Sequence, residues 1–85
     1  MPLLKQNLNG LKLYMYYNDV KQHHIPHFHA IYGDYSAVVD FSGNIIEGFL
    51  PAKFISKLKN FGMEYQDELA EAWKLAVNGK PFRRI

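Results

Sequence analysis

All four histidines of this 85-residue chain fall in one stretch, His23-His24-Ile25-Pro26-His27-Phe28-His29. Side chains alternate along an extended strand, so His27 and His29 project to the same side. His23 or His24 can return over them if the preceding segment curls, and Pro26 stiffens the approach. Three imidazoles and a carboxylate such as Asp40 or Asp19 match the ligand types of a zinc, nickel or iron site. A divalent transition metal such as zinc is therefore the cofactor that His27 and His29, with His23 or His24 and with Asp40 or Asp19, would hold. Its affinity would fall in acid, where protons compete for the ring nitrogens. The same groups suit general acid–base chemistry, with His27, His29 and Asp40 as the catalytic candidates. In a metal-free ribonuclease mechanism one imidazole would deprotonate a 2′-hydroxyl and another would protonate the leaving oxygen. Lys80, Arg83 or Arg84 would then hold the phosphate. The metalloprotease pattern H-E-x-x-H and a Gly-rich phosphate loop are both absent from the sequence, and no Ser/His/Asp arrangement stands out.

The elements that must position these residues are mostly short and β-like. Leu11 to Tyr17 is rich in aromatic and apolar residues and suits a strand, and Asn18 to Pro26 reads as a polar loop. His27 to Tyr32 and Tyr35 to Phe41 flank Gly33-Asp34, a good hairpin signal. Ser42-Gly43-Asn44 makes a second turn before Ile45 to Leu50. A two-residue Gly33-Asp34 loop sets Phe28 opposite Val39, Ala30 opposite Ala37 and Tyr32 opposite Tyr35 on the core face. The other face receives His27 opposite Asp40, His29 opposite Val38 and Ile31 opposite Ser36. If Gly43-Asn44 is also a two-residue turn, Glu47 lies opposite Asp40 and a polar row His27–Asp40–Glu47 crosses three strands. Two carboxylates so placed repel, which a cation or metal would relieve. A three-residue turn would instead move Glu47 to the other face. The competing reading is an ordinary solvated face on which His27 and Asp40 only pair across the strands. Ile31, Val38, Ile45 and Phe49 share this face, and that much apolar surface marks it for a partner.

From Pro51 the hydrophobic period becomes helical. Phe54, Ile55, Leu58 and Phe61 share one face, with Pro51 at the first helical position and Gly62 as the stop. A second helix runs from about Glu64 to Asn78 with the stripe Tyr65, Leu69, Ala72, Trp73, Ala76 and Val77, and Asn78-Gly79 ends it. Pro81 to Ile85 reads as an edge strand or a tail. Strands first and helices last give an α+β fold: a small antiparallel sheet of about four strands with two C-terminal helices on one face, as one domain over 1–85.

Composition narrows the classes. Hydrophobic residues are 48% and charged residues 21%, as in a folded soluble domain rather than a disordered one, and aromatics reach 15%. The absence of cysteine excludes disulfides, thiol nucleophiles and cysteine-based metal sites. A net charge of +2 gives only weak support to nucleic-acid binding. No apolar run reaches a membrane span and Met1 to Asn7 shows no signal-peptide pattern, so a cytoplasmic location is expected.

Met15-Tyr16-Tyr17-Asn18-Asp19, Pro26-His27-Phe28-His29, Tyr32-Gly33-Asp34-Tyr35 and Gly48-Phe49-Leu50-Pro51 occur in this order. They are followed by Glu68-Leu69, Trp73 and Asn78-Gly79-Lys80-Pro81-Phe82. The whole resembles the small bacterial domain of unknown function numbered four-one-six-zero. Family members commonly read Asp-His-x-Pro-Pro-His-Phe-His, which places His23 on the additional family histidine and Pro26 on the second proline. Ile25 stands where the family has the first proline, and Val20-Lys21-Gln22 lengthen the loop. The resemblance implies no settled activity. It does imply genes set beside one for another small domain, an arrangement like a toxin–antitoxin pair. Two readings follow. One is a protein-interaction module, a homodimer or a complex with a small protein partner, using Ile31, Val38, Ile45 and Phe49. The other is a small metal-dependent or histidine-based enzyme, nuclease-like, using His23, His27 and His29.

Overall fold

The computed structural model describes residues 3–15 and 25–85. They form an antiparallel sheet of five strands in sequence order: β1 (Leu3–Leu8), β2 (Leu11–Tyr14), β3 (His27–Tyr32), β4 (Tyr35–Asp40) and β5 (Ile45–Gly48). A 3-10 turn (Ala52–Phe54) leads into α1 (Ile55–Glu64), and α2 (Gln66–Val77) follows. The class is α+β as expected, with five strands where about four were read. The additional strand is β1. Leu8 pairs with Leu11 across Asn9 (φ 53) and Gly10 (φ 97). Two residues at positive φ match the twist of the strands they join, which is why Asn-Gly serves there.

β3 and β4 pair in the expected register, from His27 with Asp40 to Tyr32 with Tyr35. Leu13 pairs with Ala30, so one face gathers Leu11, Leu13, Phe28, Ala30, Ala37 and Val39, all buried. The helices complete this core with Leu58, Phe61, Leu69, Ala72 and Ala76. Ring contacts join the layers: Phe28 lies 6.0 Å from Phe61, and Tyr32 lies 4.7 Å from Phe54. Tyr35, expected on the core face, is 45% exposed, because it stands at the end of the hairpin beyond this core.

The turn between β4 and β5 departs most from expectation. β4 ends at Asp40, and Phe41, Ser42 and Gly43 form a three-residue loop in which the Gly43 N–H donates to the Asp40 carbonyl (3.0 Å). Gly43 sits at φ 90, where a side chain would be strained. Val39 pairs with Ile45 but Val38 pairs with Glu47, so Ile46 is a bulge. The odd loop and the bulge cancel. Glu47 therefore keeps the predicted face but lies opposite Val38, and the row His27–Asp40–Glu47 does not form.

This turn is seated on α1. A Cβ at Gly43 would meet the backbone of Lys59, and one at Gly62 would collide with the Phe41 carbonyl oxygen. Gly62 is thus a contact residue inside α1 and not its stop; the helix runs to Glu64. Pro51 precedes the 3-10 turn rather than opening α1. α2 ends as expected at Asn78-Gly79. The Lys80 N–H donates to Leu75 and the Gly79 N–H to Ala76 with Gly79 at φ 69, which closes the last turn. Val77 lies off the apolar stripe at 41% exposed, and Trp73 is half-buried. The tail after Gly79 returns to β1, where the Ile85 N–H donates to the Leu4 carbonyl (2.7 Å).

Gly62→Ala is expected to lower stability by about 1–3 kcal/mol, as overpacking does. Urea denaturation checks this, and a wild-type midpoint would show that the turn is not seated on the helix.

Candidate functional site

His27 opens β3 directly after Pro26 and is only 1% exposed. Its Nδ1 lies 2.8 Å from the Ile25 carbonyl oxygen. A carbonyl only accepts, so Nδ1 carries the proton and this bond closes the chain around Pro26. The ring stands edge-on to Trp73 of α2 at 5.1 Å and to His29 at 5.7 Å. Trp73 in turn meets Phe41 at 6.2 Å, and Phe41 stacks on Phe28 at 6.1 Å. One imidazole is therefore wedged between sheet and helix, while His29 beside it is half-buried.

Asp40 stands opposite His27, as the hairpin required. Its carboxylate serves the turn that follows it. Oδ1 accepts from the backbone N–H of Ser42 (3.0 Å) and of Asn44 (2.9 Å), and Oδ2 lies 3.4 Å from the Asn44 side-chain nitrogen. Satisfying two backbone donors is what lets so short a loop close. The next cross-strand row runs Tyr14–His29–Val38–Glu47. Among the described residues, no group of three or more metal-ligating side chains could hold a metal ion. His23, His24 and Asp19 lie outside the described residues, as does most of the loop expected over Asn18–Pro26.

The expected partner surface divides. Val38 is 7% exposed, since it lies between the longer side chains of His29 and Glu47 and forms a floor rather than a contact. Ile31 is half-buried, but Ile45 is not on this face: it pairs with Val39 and packs against the core, because the three-residue loop sets it there. Phe49 alone is strongly exposed, at 62%. It packs at 5.6 Å on Tyr35, and the bulge residue Ile46 is exposed on the adjoining β5. Tyr35 and Ile46 were not among the expected partner-surface residues: simple alternation places Tyr35 inside, and no local signal announces the bulge. Lys80, Arg83 and Arg84 are exposed, and the two arginines line a groove of about 790 Å3 with Glu68 and Glu71 of α2. His27 and His29 do not line it. Among the described residues, no helix is long and apolar enough to cross a membrane.

Asp40→Ala is expected to cost about 1.5–3 kcal/mol, the range for hydrogen bonds to a charged group. Chemical denaturation checks this, and a change under about 0.5 kcal/mol, as at an ordinary surface position, would show that the carboxylate does not hold the turn.

No curated protein and no solved structure matches the chain. A family model does, described as Domain of unknown function (DUF4160), over residues 10–74. The matched stretch runs from the first hairpin turn to α2. It holds Pro26-His27-Phe28-His29, the Gly33-Asp34 hairpin, the Asp40 turn with its seat at Gly62, and Trp73. These are the residues that close the core and wedge His27 in place, and the match takes in well over half of the chain, which therefore belongs to the family Domain of unknown function (DUF4160).

Proposed function

We propose that the protein is an interaction module that binds another protein through the corner formed by Tyr35, Ile46 and Phe49. The observation that carries this reading is Phe49, a large ring left 62% exposed beside an edge strand and held in place by Tyr35. Exposed apolar clusters on small domains mark contact sites, and aromatic anchors dominate such interfaces. β5 ends the sheet, with no strand beyond it among the described residues. Its four residues and its bulge disfavour a long added strand, so the contact is made by side chains. The partner is a second copy of the chain, the two corners meeting about a twofold axis, or a small protein in a toxin–antitoxin-like pair.

Native mass spectrometry of wild type should show the homodimer or a retained small protein, and Phe49→Glu should release the monomer without changing the circular dichroism. A wild-type monomer at high concentration that retains nothing from the cell would overturn the reading.

A second reading rests on the pair His27–His29, with rings 5.7 Å apart and the His27 tautomer set by the Ile25 carbonyl. Metal-ligating histidines commonly donate their second nitrogen to such a carbonyl. On this reading His23, His27 and His29 serve a metal-dependent or histidine-based, nuclease-like activity. Calorimetric titration of zinc and nickel at about pH 7.5 and about pH 5.5 should then show binding that weakens in acid and is lost in His27→Ala. Metal-free wild type that gives no heat at either pH would end it.

A further inference from the structure

A cleft of about 300 Å3 lies between β1 and α1. Its polar lining is Lys5 and Asn9 from the first hairpin and Lys57, Asn60 and Glu64 from α1. The last three recur at three- and four-residue spacing and so share one helix face. The five come from segments far apart in sequence, and the fold alone collects them.

Both cations line the cleft. The Lys5 ammonium lies 3.5 Å from the Ile85 carbonyl oxygen, and the Ile85 N–H is itself bonded to Leu4. The returning tail thereby sets Lys5 beside the cleft. Lys57 is half-buried, unlike its exposed neighbours Lys53 and Lys59. Phe61 and Tyr65, with rings 5.2 Å apart, supply apolar walls. Small-molecule sites combine such walls with a few convergent polar groups.

We propose that this cleft binds a small phosphate monoester on a hydroxylated ring, either a sugar phosphate or a mononucleotide. Two ammonium groups and two side-chain amides suit a phosphate, whose oxygens accept from all of them. Glu64 would repel a second anionic group, and it accepts from a ring hydroxyl instead. Tyr65 offers its face to the ring. The larger groove beside it selects no anion in this way, because Arg83 and Arg84 share it with Glu68 and Glu71. The family match begins at residue 10, so Lys5 and Asn9 lie outside it, and the cleft joins a segment of this chain to the family core.

The test is a two-dimensional nitrogen-15 NMR titration of the full chain with adenosine monophosphate and with glucose 6-phosphate, with adenosine and glucose as controls. Saturable shifts are expected at Asn9, Asn60 and Glu64 with at least one phosphate ester and with neither control, and the tighter of the two esters identifies the ring. Lys57→Gln should weaken binding at least about tenfold, the loss of one charge-assisted hydrogen bond. Arg83→Ala should leave the affinity unchanged. The absence of shifts with either ester, shifts centred on Arg83 and Arg84, or unchanged affinity in folded Lys57→Gln would each overturn the proposal.

Discussion

The seating of the Asp40–Asn44 turn on α1 is the contact on which the rest of the structure leans. Each partner supplies a glycine at the closest points, Gly43 of the turn against Lys59 and Gly62 of the helix against Phe41, which lets the two backbones approach. Because the turn lies flat on the helix, Phe41 is carried inward to touch both Phe28 and Trp73. Trp73 then reaches the His27 ring. A carboxylate that closes a loop is in this way linked, through two aromatic rings, to the imidazole that stands opposite it in the sheet. The sequence motif that looked most like chemistry is also where sheet, turn and helix are fastened together.

The hairpin from His27 to Asp40 was legible in full, since a two-residue Gly33-Asp34 loop leaves no freedom in the register. The next hairpin was not. Its three-residue loop turns the pairing to the other face and the bulge at Ile46 turns it back two residues out of place, which alternation cannot reveal. β1 was missed although Asn9-Gly10 is as clear a turn signal as the chain contains. The polar run Lys5-Gln6-Asn7 hides the strand, because an edge strand needs few apolar residues. The end of α2 was read correctly from Asn78-Gly79, where the need for positive φ is local.

Legibility of the site follows the same division between local and distant causes. That His27 and His29 share a side is a property of any strand. That His27 is buried depends on Trp73, which only the helix packing brings near. The role of Asp40 was open to a local reading, since Asp followed by Phe-Ser-Gly-Asn invites side-chain bonds to the turn's own N–H groups. The Tyr35–Phe49 pair needed the end of the hairpin and the segment beyond Gly48 together, and no spacing rule connects them.

The two edges of the sheet are protected by different means, and the difference decides where another protein can approach. At β1 the exposed residues are polar, and the returning tail bonds to Leu4, so that edge is covered by the chain itself. At β5 no further strand among the described residues lies alongside. The strand is short, bulged at Ile46 and followed by Gly48 at φ 86, where the backbone presses on Ser36 and Ala37. A kinked strand of this kind resists indiscriminate pairing with other strands. It leaves Phe49 standing clear of the sheet, anchored by Tyr35. An edge that refuses generic pairing while presenting a fixed aromatic ring favours a specific contact over aggregation, and β5 is the only edge of this sheet that combines the two among the described residues.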